Sequence, residues 1–577
     1  MDRAAIVGRA RDYIARERSG RFRAEVEELL AKDDLRELED RFYRDLEFGT
    51  GGLRGIIGGG YNRMNSLVVK RATQGLANYL RKAMPAKAGE GGLSAVLAYD
   101  SRHYSPEFAL EAALVFAANG IKAYLFSSMR PTPELSFAIR YLGCDTGLVV
   151  TASHNPPQYN GYKAYWAGGA QVIPPHDRGI IAEVGVVTEI RELDKETALA
   201  RGLLKLIDTE LDEPYQAMVR SRLFRPELIR ARAGELKIVY TPLHGTGAMH
   251  VEAVLGGLGL QVFTVPEQRE GNGDFPTVAF PNPEEAAALD MAIKLGAKLG
   301  AGLVMATDPD ADRFGIAVPS GNTGDFTLVT GNQLGCLLAD YIFLSLRETG
   351  RMPPNAAMVN SIVTTGMQKR VAEYYGVRFY ECLTGFKWIA ELMARTEADG
   401  SARVVFGTEE SYGFLVEDEV RDKDGVSAAA MTAEMALYWR RRGKSLLDRL
   451  EELYGICGYW QEAGIAKYFQ GPGGPAIMAN IMKAYRKNPP QTLGGIPVLR
   501  VRDLEQGADG LAPSDVLQFF LEDGTVVSAR PSGTEPKIKF YASCCCPLGS
   551  GGLEAARAGA AEKLEAIGKD IRAVIGE

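Results

Sequence analysis

Nowhere does the sequence run for about 18 residues on uncharged apolar side chains, so no stretch reads as a membrane-spanning helix. Nor is there a basic excess: 66 Lys and Arg face 73 Asp and Glu, a formal net charge of -7. That balance argues against nonspecific binding to nucleic acid, while leaving room for a local basic groove that holds a small anion. Cysteine is sparse, and its count of seven is odd. Cys144, Cys336, Cys382 and Cys457 are scattered and Cys544, Cys545 and Cys546 are adjacent, which is neither zinc-site spacing nor a disulfide framework. Such usage points to a reducing cytoplasm. Residues 1–47 are rich in Arg and Glu and lack the apolar segment of a signal peptide.

What the sequence does have is length and apolar material: 577 residues, 46% of them apolar. That is too much for one core and suggests about four domains. Residues 2–46 read as helices, with Val26, Leu29 and Leu30 at helical spacing among charges of alternating sign. From residue 93 to 150, short apolar runs alternate with helical stretches, the grammar of βαβ units and a parallel sheet. The same grammar restarts at Ile238-Val239-Tyr240, at Leu303-Val304-Met305-Ala306 and at Val404-Val405-Phe406. Residues 203–233 read as a charged helical connection between domains, and residues 428–453 as a helical stretch ahead of a smaller last domain.

Residues with chemical capacity gather where the apolar runs end. Leu148-Val149-Val150 leads into Thr151-Ala152-Ser153-His154-Asn155-Pro156. In open α/β sheets ligands gather beyond the carboxyl ends of strands, so the Ser153 hydroxyl beside His154 suits a nucleophile. Taken alone, the same residues read more readily as a turn that bonds to its own backbone. The run ending at Ala306 leads into Thr307-Asp308-Pro309-Asp310-Ala311-Asp312-Arg313. Three carboxylates at i, i+2 and i+4 project to one side of an extended backbone and offer hard oxygen ligands, favouring Mg²⁺ over Zn²⁺. An EF-hand does not fit, since Arg313 stands where its glycine belongs and Pro319 where its glutamate belongs.

Weaker signals surround these two. Four glycines from Gly49 to Gly55 flank Arg54, which suits close backbone approach to a phosphate. Lys163 supplies an amine in what reads as a loop. Leu383-Thr384-Gly385 and, after Phe406, Glu409 and Ser411 offer carboxylate and hydroxyl groups that match sugar hydroxyls. Arg421-Asp422-Lys423 comes next, and Arg530-Pro531-Ser532-Gly533-Thr534 resembles a phosphate nest.

In order from Phe48 to Tyr541, these motifs resemble the α-D-phosphohexomutase superfamily, most closely its bacterial phosphoglucomutase branch, which is related to phosphopentomutases and sugar-bisphosphate synthases. The resemblance implies four domains around a central cleft: three similar α/β mixed-sheet domains and a smaller C-terminal α+β domain that closes over the substrate. Boundaries are expected at 1–205, 206–325, 326–455 and 456–577. It further implies that Ser153 is the phosphoserine, with Asp308, Asp310, Asp312 and the Ser153 phosphate binding Mg²⁺. Arg54, His154, Lys163 and Lys423 would neighbour the reacting oxygen, the two lysines as candidates for proton transfer. Arg313, Thr384, Gly385, Glu409 and Ser411 would contact the sugar. Arg530, Ser532, Gly533 and Thr534 would grip the phosphate that does not react.

The activity so implied is interconversion of glucose 1-phosphate and glucose 6-phosphate, with glucose 1,6-bisphosphate as intermediate and activator. Some phosphomannomutases carry a histidine after the sugar-reading Glu and Ser, where Tyr412 and Gly413 stand here; this favours Lys423 as base and glucose over mannose. Pentose or mannose phosphates, hexose-bisphosphate synthesis and, more distantly, a non-catalytic sugar-phosphate binding protein or a metal phosphatase are the alternatives. The expected partners are small sugar phosphates, with no nucleic acid or membrane, and an oligomeric state open between monomer and dimer.

Overall fold

The computed structural model describes residues 3–49, 51–321, 325–469, 474–532 and 537–576. The chain forms two compact units, one of Met1–Val329 with Gly413–Leu437 and one of Thr330–Tyr412 with Tyr438–Glu577. Among the described residues no helix is long and apolar enough to cross a membrane.

The first unit opens with the expected helices, Arg3–Arg16, Gly20–Ala31 and Leu35–Phe42, which bury Ile6, Ala10, Tyr13, Val26, Leu38 and Phe42 together. They also bond to the chain between Gly59 and Leu67. Glu25 accepts the Gly59 amide at 2.9 Å, Arg41 donates to the Gly59 carbonyl at 3.0 Å, and Glu17 accepts the Leu67 amide at 3.1 Å. The first sheet contains β1 (Gly52–Ile56), β2 (Ser94–Tyr99), β3 (Lys122–Phe126), β4 (Thr146–Val150), β5 (Tyr159–Trp166) and β6 (Leu204–Ile207), in the order β1-β5-β4-β2-β3-β6. β2, β3, β4 and β6 run parallel, and β5 is antiparallel to both β4 and β1. Every residue of β4 is buried, as its uninterrupted apolar run requires of a strand covered on both faces.

Three local expectations change here. The glycine-flanked Arg54 lies on a strand rather than in an anion nest, and Lys163 lies on β5 rather than in a loop. Gly52 serves the pairing of β1 with β5, since a Cβ there would meet the Tyr162 carbonyl oxygen at 1.7 Å, and on the facing strand one on Gly161 would meet the Leu53 carbonyl oxygen at 2.9 Å. Residues 203–233 are not all connection, because Leu204–Ile207 closes the sheet as β6 before two helices continue.

The second sheet contains β7 (Lys237–Thr241), β8 (Gln261–Thr264), β9 (Leu303–Thr307), β10 (Phe314–Ser320) and β11 (Asp325–Val329), ordered β11-β10-β9-β7-β8. β9 runs parallel to β7 and antiparallel to β10, with Thr307 opposite Phe314. The three aspartates therefore occupy the tip of a β9–β10 hairpin.

In the second unit β12 (Ala356–Ser361) lies between β13 (Arg378–Cys382) and β14 (Arg403–Glu409), all parallel. The chain then returns to the first unit through β15 (Gly413–Leu415) and a segment leading to the helix Gly425–Arg440. The helical stretch expected over 428–453 is two helices, the second being Leu446–Cys457, which Ser445 opens by a capping box with Asp448. The last sheet is antiparallel, β16 (Tyr459–Tyr468), β17 (Thr492–Leu493), β18 (Ile496–Asp503), β19 (Leu517–Leu521), β20 (Val526–Pro531) and β21 (Lys537–Cys546), ordered β16-β21-β20-β19-β18-β17. The terminal helix Gly552–Ile575 packs Ala560, Leu564 and Ile567 into its core.

Candidate active site

Ser153 lies just beyond the buried end of β4 and holds left-handed backbone, φ 52°. Its amide donates to Thr151 Oγ1 at 2.8 Å, and Thr151 in turn donates to Asp100 Oδ2 at 2.6 Å. So held, the Ser153 hydroxyl donates to Asp308 Oδ2 at 2.6 Å and lies 3.2 Å from His154 Nδ1. Arg54 on β1 donates to the Asn155 side chain at 3.2 Å.

The aspartates converge by a turn, not by an extended backbone: Ala311 has φ 51°. Asp308, Asp310 and Asp312 are all buried, each with a carboxylate oxygen within 4.8 Å of the others. Neighbouring segments pin the turn. Thr246 donates its amide to the Pro309 carbonyl at 2.8 Å, Thr132 donates its amide to that of Asp310 at 2.9 Å, and Gly425 donates to that of Ala311 at 3.0 Å. Gly245 is obligatory, since a Cβ there would stand 2.2 Å from Pro309 Cα.

Cations balance this buried charge. Lys163 Nζ donates to Asp310 Oδ2 at 2.6 Å and to Asp312 Oδ2 at 3.0 Å, and Lys423 Nζ lies 3.2 Å from Asp312 Oδ2. Lys423 is itself steered by Asp422, whose Oδ1 accepts it at 3.1 Å while its Oδ2 accepts Tyr165 at 2.6 Å and Gln171 at 2.8 Å. Burial pushes the Asp308 carboxyl well up, reinforced by Asp310 and Asp312. Burial also opposes ionisation of Asp312, but Lys163, Lys423 and Arg313 more than offset it and hold that carboxyl far below the usual range. His154 is pushed well down by burial and by the nearby Arg313 and Arg54, which keeps its imidazole neutral. Two oxygens, Asp310 Oδ1 and Asp312 Oδ1, are buried with no hydrogen-bond partner. Unpaired carboxylate oxygens at such depth are costly, and an oxygen-seeking divalent cation is the group they fit.

In the second unit, Glu409 ends β14 and accepts the Gly385 amide at 2.7 Å, while Gly385, with φ 114°, opens the helix Phe386–Asp399. The Thr384 hydroxyl is buried without a hydrogen-bond partner. Glu410 accepts from Ser361 at 3.1 Å and from Thr364 at 3.3 Å, while Glu409 is buried and Ser411 half-buried. Arg530 stands on β20 opposite Lys539, and the Ser532 amide donates to the Lys537 carbonyl at 2.7 Å. Gly533 and Thr534 lie outside the described residues.

The fold thus places Arg54, Ser153, His154, Lys163, Asp308, Asp310, Asp312, Arg313 and Lys423 in one unit, and Thr384, Gly385, Glu409, Ser411, Arg530 and Ser532 in the other. Sequence reasoning assigns no role to Thr132, Gly245 and Thr246, which hold these groups through backbone contacts and single hydroxyls, and it names Asp422 without showing that its carboxylate steers Lys423. The stretch Tyr99-Asp100-Ser101-Arg102-His103, at another strand end, is the one signal that points toward Asp100.

Four family models match in order: phosphoglucomutase/phosphomannomutase alpha/beta/alpha domain I over residues 45–190, domain II over 213–321, domain III over 330–456, and the C-terminal domain over 482–547. The chain belongs to the phosphoglucomutase/phosphomannomutase family. As a phosphohexomutase it is an intramolecular phosphotransferase, of the isomerase class. Among curated relatives, the probable phosphoribomutase of Schizosaccharomyces pombe is 37% identical over 90% of this chain and 90% of that protein. The phosphoglucomutase of Staphylococcus epidermidis is 35% identical over 90% of this chain and 95% of its own length. Human phosphopentomutase is 34% identical over 91% of this chain and 89% of its own. Among solved structures, the open form of Paramecium pp63/parafusin, a phosphoglucomutase, shares the fold with a TM-score of 0.68 at 18% identity, covering 87% of this chain and 90% of that one.

Proposed function

We propose that this phosphohexomutase is a phosphoglucomutase that carries its phosphoryl group on Ser153. The observation that carries the reading is the Ser153 hydroxyl 2.6 Å from Asp308, beside two buried carboxylate oxygens without partners. Asp308, Asp310 and Asp312 would hold Mg²⁺ together with the Ser153 phosphate. A bound Mg²⁺ supplies charge neutralisation at the phosphoryl oxygens, the main requirement of phosphoryl transfer. A phosphoserine brings about two negative charges and the ion two positive, so loading both preserves the balance of acids and bases now present.

Arg54 and Arg313 orient the phosphoryl group, and neutral His154 positions it by hydrogen bonding. The O6 of glucose 1-phosphate attacks phosphorylated Ser153 in line, and Lys423 or Lys163 moves its proton. The resulting glucose 1,6-bisphosphate turns around and returns its other phosphate to Ser153, leaving glucose 6-phosphate. Glu409 and Ser411, with the Thr384-Gly385 turn, read the sugar hydroxyls, and Arg530, Ser532, Gly533 and Thr534 hold the phosphate at rest. Free glucose 1,6-bisphosphate therefore activates the enzyme by charging Ser153. The four working segments are 1–205, 206–325, 326–455 and 456–577, and a cytoplasmic location suits an enzyme of sugar phosphates with seven unbridged cysteines.

Relatives named phosphoribomutase and phosphopentomutase, at 37% and 34% identity, favour a pentose phosphate as the second reading. One experiment addresses both. Phosphorus NMR follows the protein with Mg²⁺, a trace of glucose 1,6-bisphosphate, and glucose, mannose and ribose 1-phosphates in competition. Glucose 1-phosphate is expected to turn over first, and faster use of ribose 1-phosphate would replace the proposal with phosphopentomutase. Ser153→Ala is expected to abolish turnover of every sugar and to remove the phosphoryl mass increment; full retained activity would refute the nucleophile.

A further inference from the structure

Arg102 is unusual in what it touches. Its side chain is fully buried, and its guanidinium spends its donors on peptide carbonyls of a single loop. Nη2 donates to the Ser153 carbonyl at 2.5 Å and to that of Asn155, while Nη1 donates to the Pro156 carbonyl at 2.9 Å and the Tyr159 carbonyl at 3.0 Å. Nε lies 3.3 Å from Asp100 Oδ2, and the ring of Phe275 covers the group with its centroid 4.9 Å away. Asp100 is the same carboxylate that accepts Thr151 and, through it, holds the Ser153 amide.

The sequence explains why the loop needs such a group. Pro156 and Pro157 have no amide hydrogen, so the loop is short of donors where its carbonyls turn inward. Several carbonyl dipoles converging on one point repel one another unless a cation with several fixed donors sits among them. Arginine, with five donors in a planar fork, is the side chain that can do this. The left-handed backbone of Ser153 is costly for a residue with a Cβ and persists only where its surroundings over-determine it.

We propose that Arg102 is a positioning residue for phosphoryl transfer: by gathering the carbonyls of Ser153, Asn155, Pro156 and Tyr159 it fixes the Ser153 hydroxyl in its transferring orientation. The inference rests on the phosphoserine reading of Ser153. Arg102 itself touches no reacting atom. It acts on the reaction through the direction of Ser153 Oγ, and its removal is expected to slow transfer while leaving sugar binding intact.

The test uses full-length wild type, Arg102→Ala and Arg102→Lys with Mg²⁺ and glucose 1,6-bisphosphate. Phosphorylation of Ser153 is timed by intact mass and peptide mapping, kcat and KM are measured with glucose 1-phosphate, and folding is checked by near-UV circular dichroism. Arg102→Ala is expected to lower the phosphorylation rate and kcat by about 100-fold, as misplacement of a reacting group does, with little change in KM. Added guanidinium ion, and not an equal concentration of sodium chloride, is expected to recover activity in that variant. Arg102→Lys should fall between, because an ammonium lacks the planar fork. A folded Ala variant with wild-type rates overturns the proposal, and so does a rise in KM at unchanged kcat, which would place Arg102 on the sugar. If the Ala variant does not fold, Arg102→Lys decides: wild-type kcat in that variant overturns the proposal, and lowered kcat at constant KM supports it. Failure of wild type itself to take phosphate at Ser153 is seen independently of the variants; it refutes the phosphoserine reading and the proposal with it.

Discussion

At the scale of single residues, backbone strain and missing side chains set the geometry of the groups proposed to transfer phosphate. Ser153 and Ala311 hold left-handed backbone at φ 52° and 51°, conformations that cost about 1–3 kcal/mol outside glycine. In each case the strain turns a functional group inward: the Ser153 hydroxyl toward Asp308, and the aspartates on either side of Ala311 toward one another. Gly413 works by absence. A Cβ there would stand 2.3 Å from Lys423 Cδ and 2.8 Å from its Cγ, so the bare backbone is what lets the Lys423 chain reach Asp312. Gly413→Ala is expected to push Lys423 aside and lower kcat by about 10-fold or more, with the thermal midpoint close to wild type. Wild-type kcat in this variant would mean that Lys423 does not move the proton, and the role would pass to Lys163.

At the scale of elements, the segment between β15 and the helix Gly425–Arg440 carries Lys423 and buries two carboxyls beside it. Glu417 accepts the amides of Glu419 and Val420, and Asp424 accepts those of Val426 and Ser427 and the Tyr215 hydroxyl. Burial, then repulsion from Asp424, pushes the Glu417 carboxyl up to about 8, against the pull of those amides and of Arg222. The folded chain therefore keeps a proton that the unfolded chain releases near the ordinary value of 4.5. More protons on the folded side mean that this group's contribution to stability falls as pH rises from about 4.5 to about 8. Glu417→Gln, which mimics the protonated form, is expected to flatten that fall. In urea titrations, the loss of unfolding free energy between pH 6 and pH 8 should shrink by an amount on the order of 2 kcal/mol relative to wild type. An identical loss in both proteins would show that Glu417 is ionised throughout.

Elements also decide how much was legible beforehand. The apolar runs of the fully buried β4 and β9 and the residue types just beyond them announced Ser153 and the three aspartates, because strand ends and hard oxygen ligands have local signatures. The pairing of β1 with β5 did not announce itself: its glycines look the same whether they admit a phosphate or another strand. Thr132 and Thr246 were invisible for a different reason, since one hydroxyl and one amide bonded across a fold leave no pattern in a sequence. Arg102 stood in a visible motif, but its grip is on carbonyls, which every residue has.

At the scale of the whole molecule, the chain is not cut where its family domains are cut. The region matching domain III, residues 330–456, is interrupted by Gly413–Leu437, which belongs to the first unit and brings Lys423 to Asp312. The motif proposed to read the substrate, which ends at Tyr412, and the lysine proposed to move the proton are thus neighbours in sequence that belong to different units.

The family match begins at residue 45, yet Glu17, Glu25 and Arg41 on the opening helices lie before it and supply the bonding partners of Leu67 and Gly59. A gene trimmed to the matched region would leave those amides bare and uncover the apolar side of the chain that Tyr13, Val26 and Phe42 now shield. Such a trimmed protein, expressed from residue 45 onward, is expected to accumulate in inclusion bodies, and co-expressing residues 1–44 as a separate peptide should return part of it to the soluble fraction. Soluble, active enzyme from the trimmed gene alone would show the helices to be dispensable.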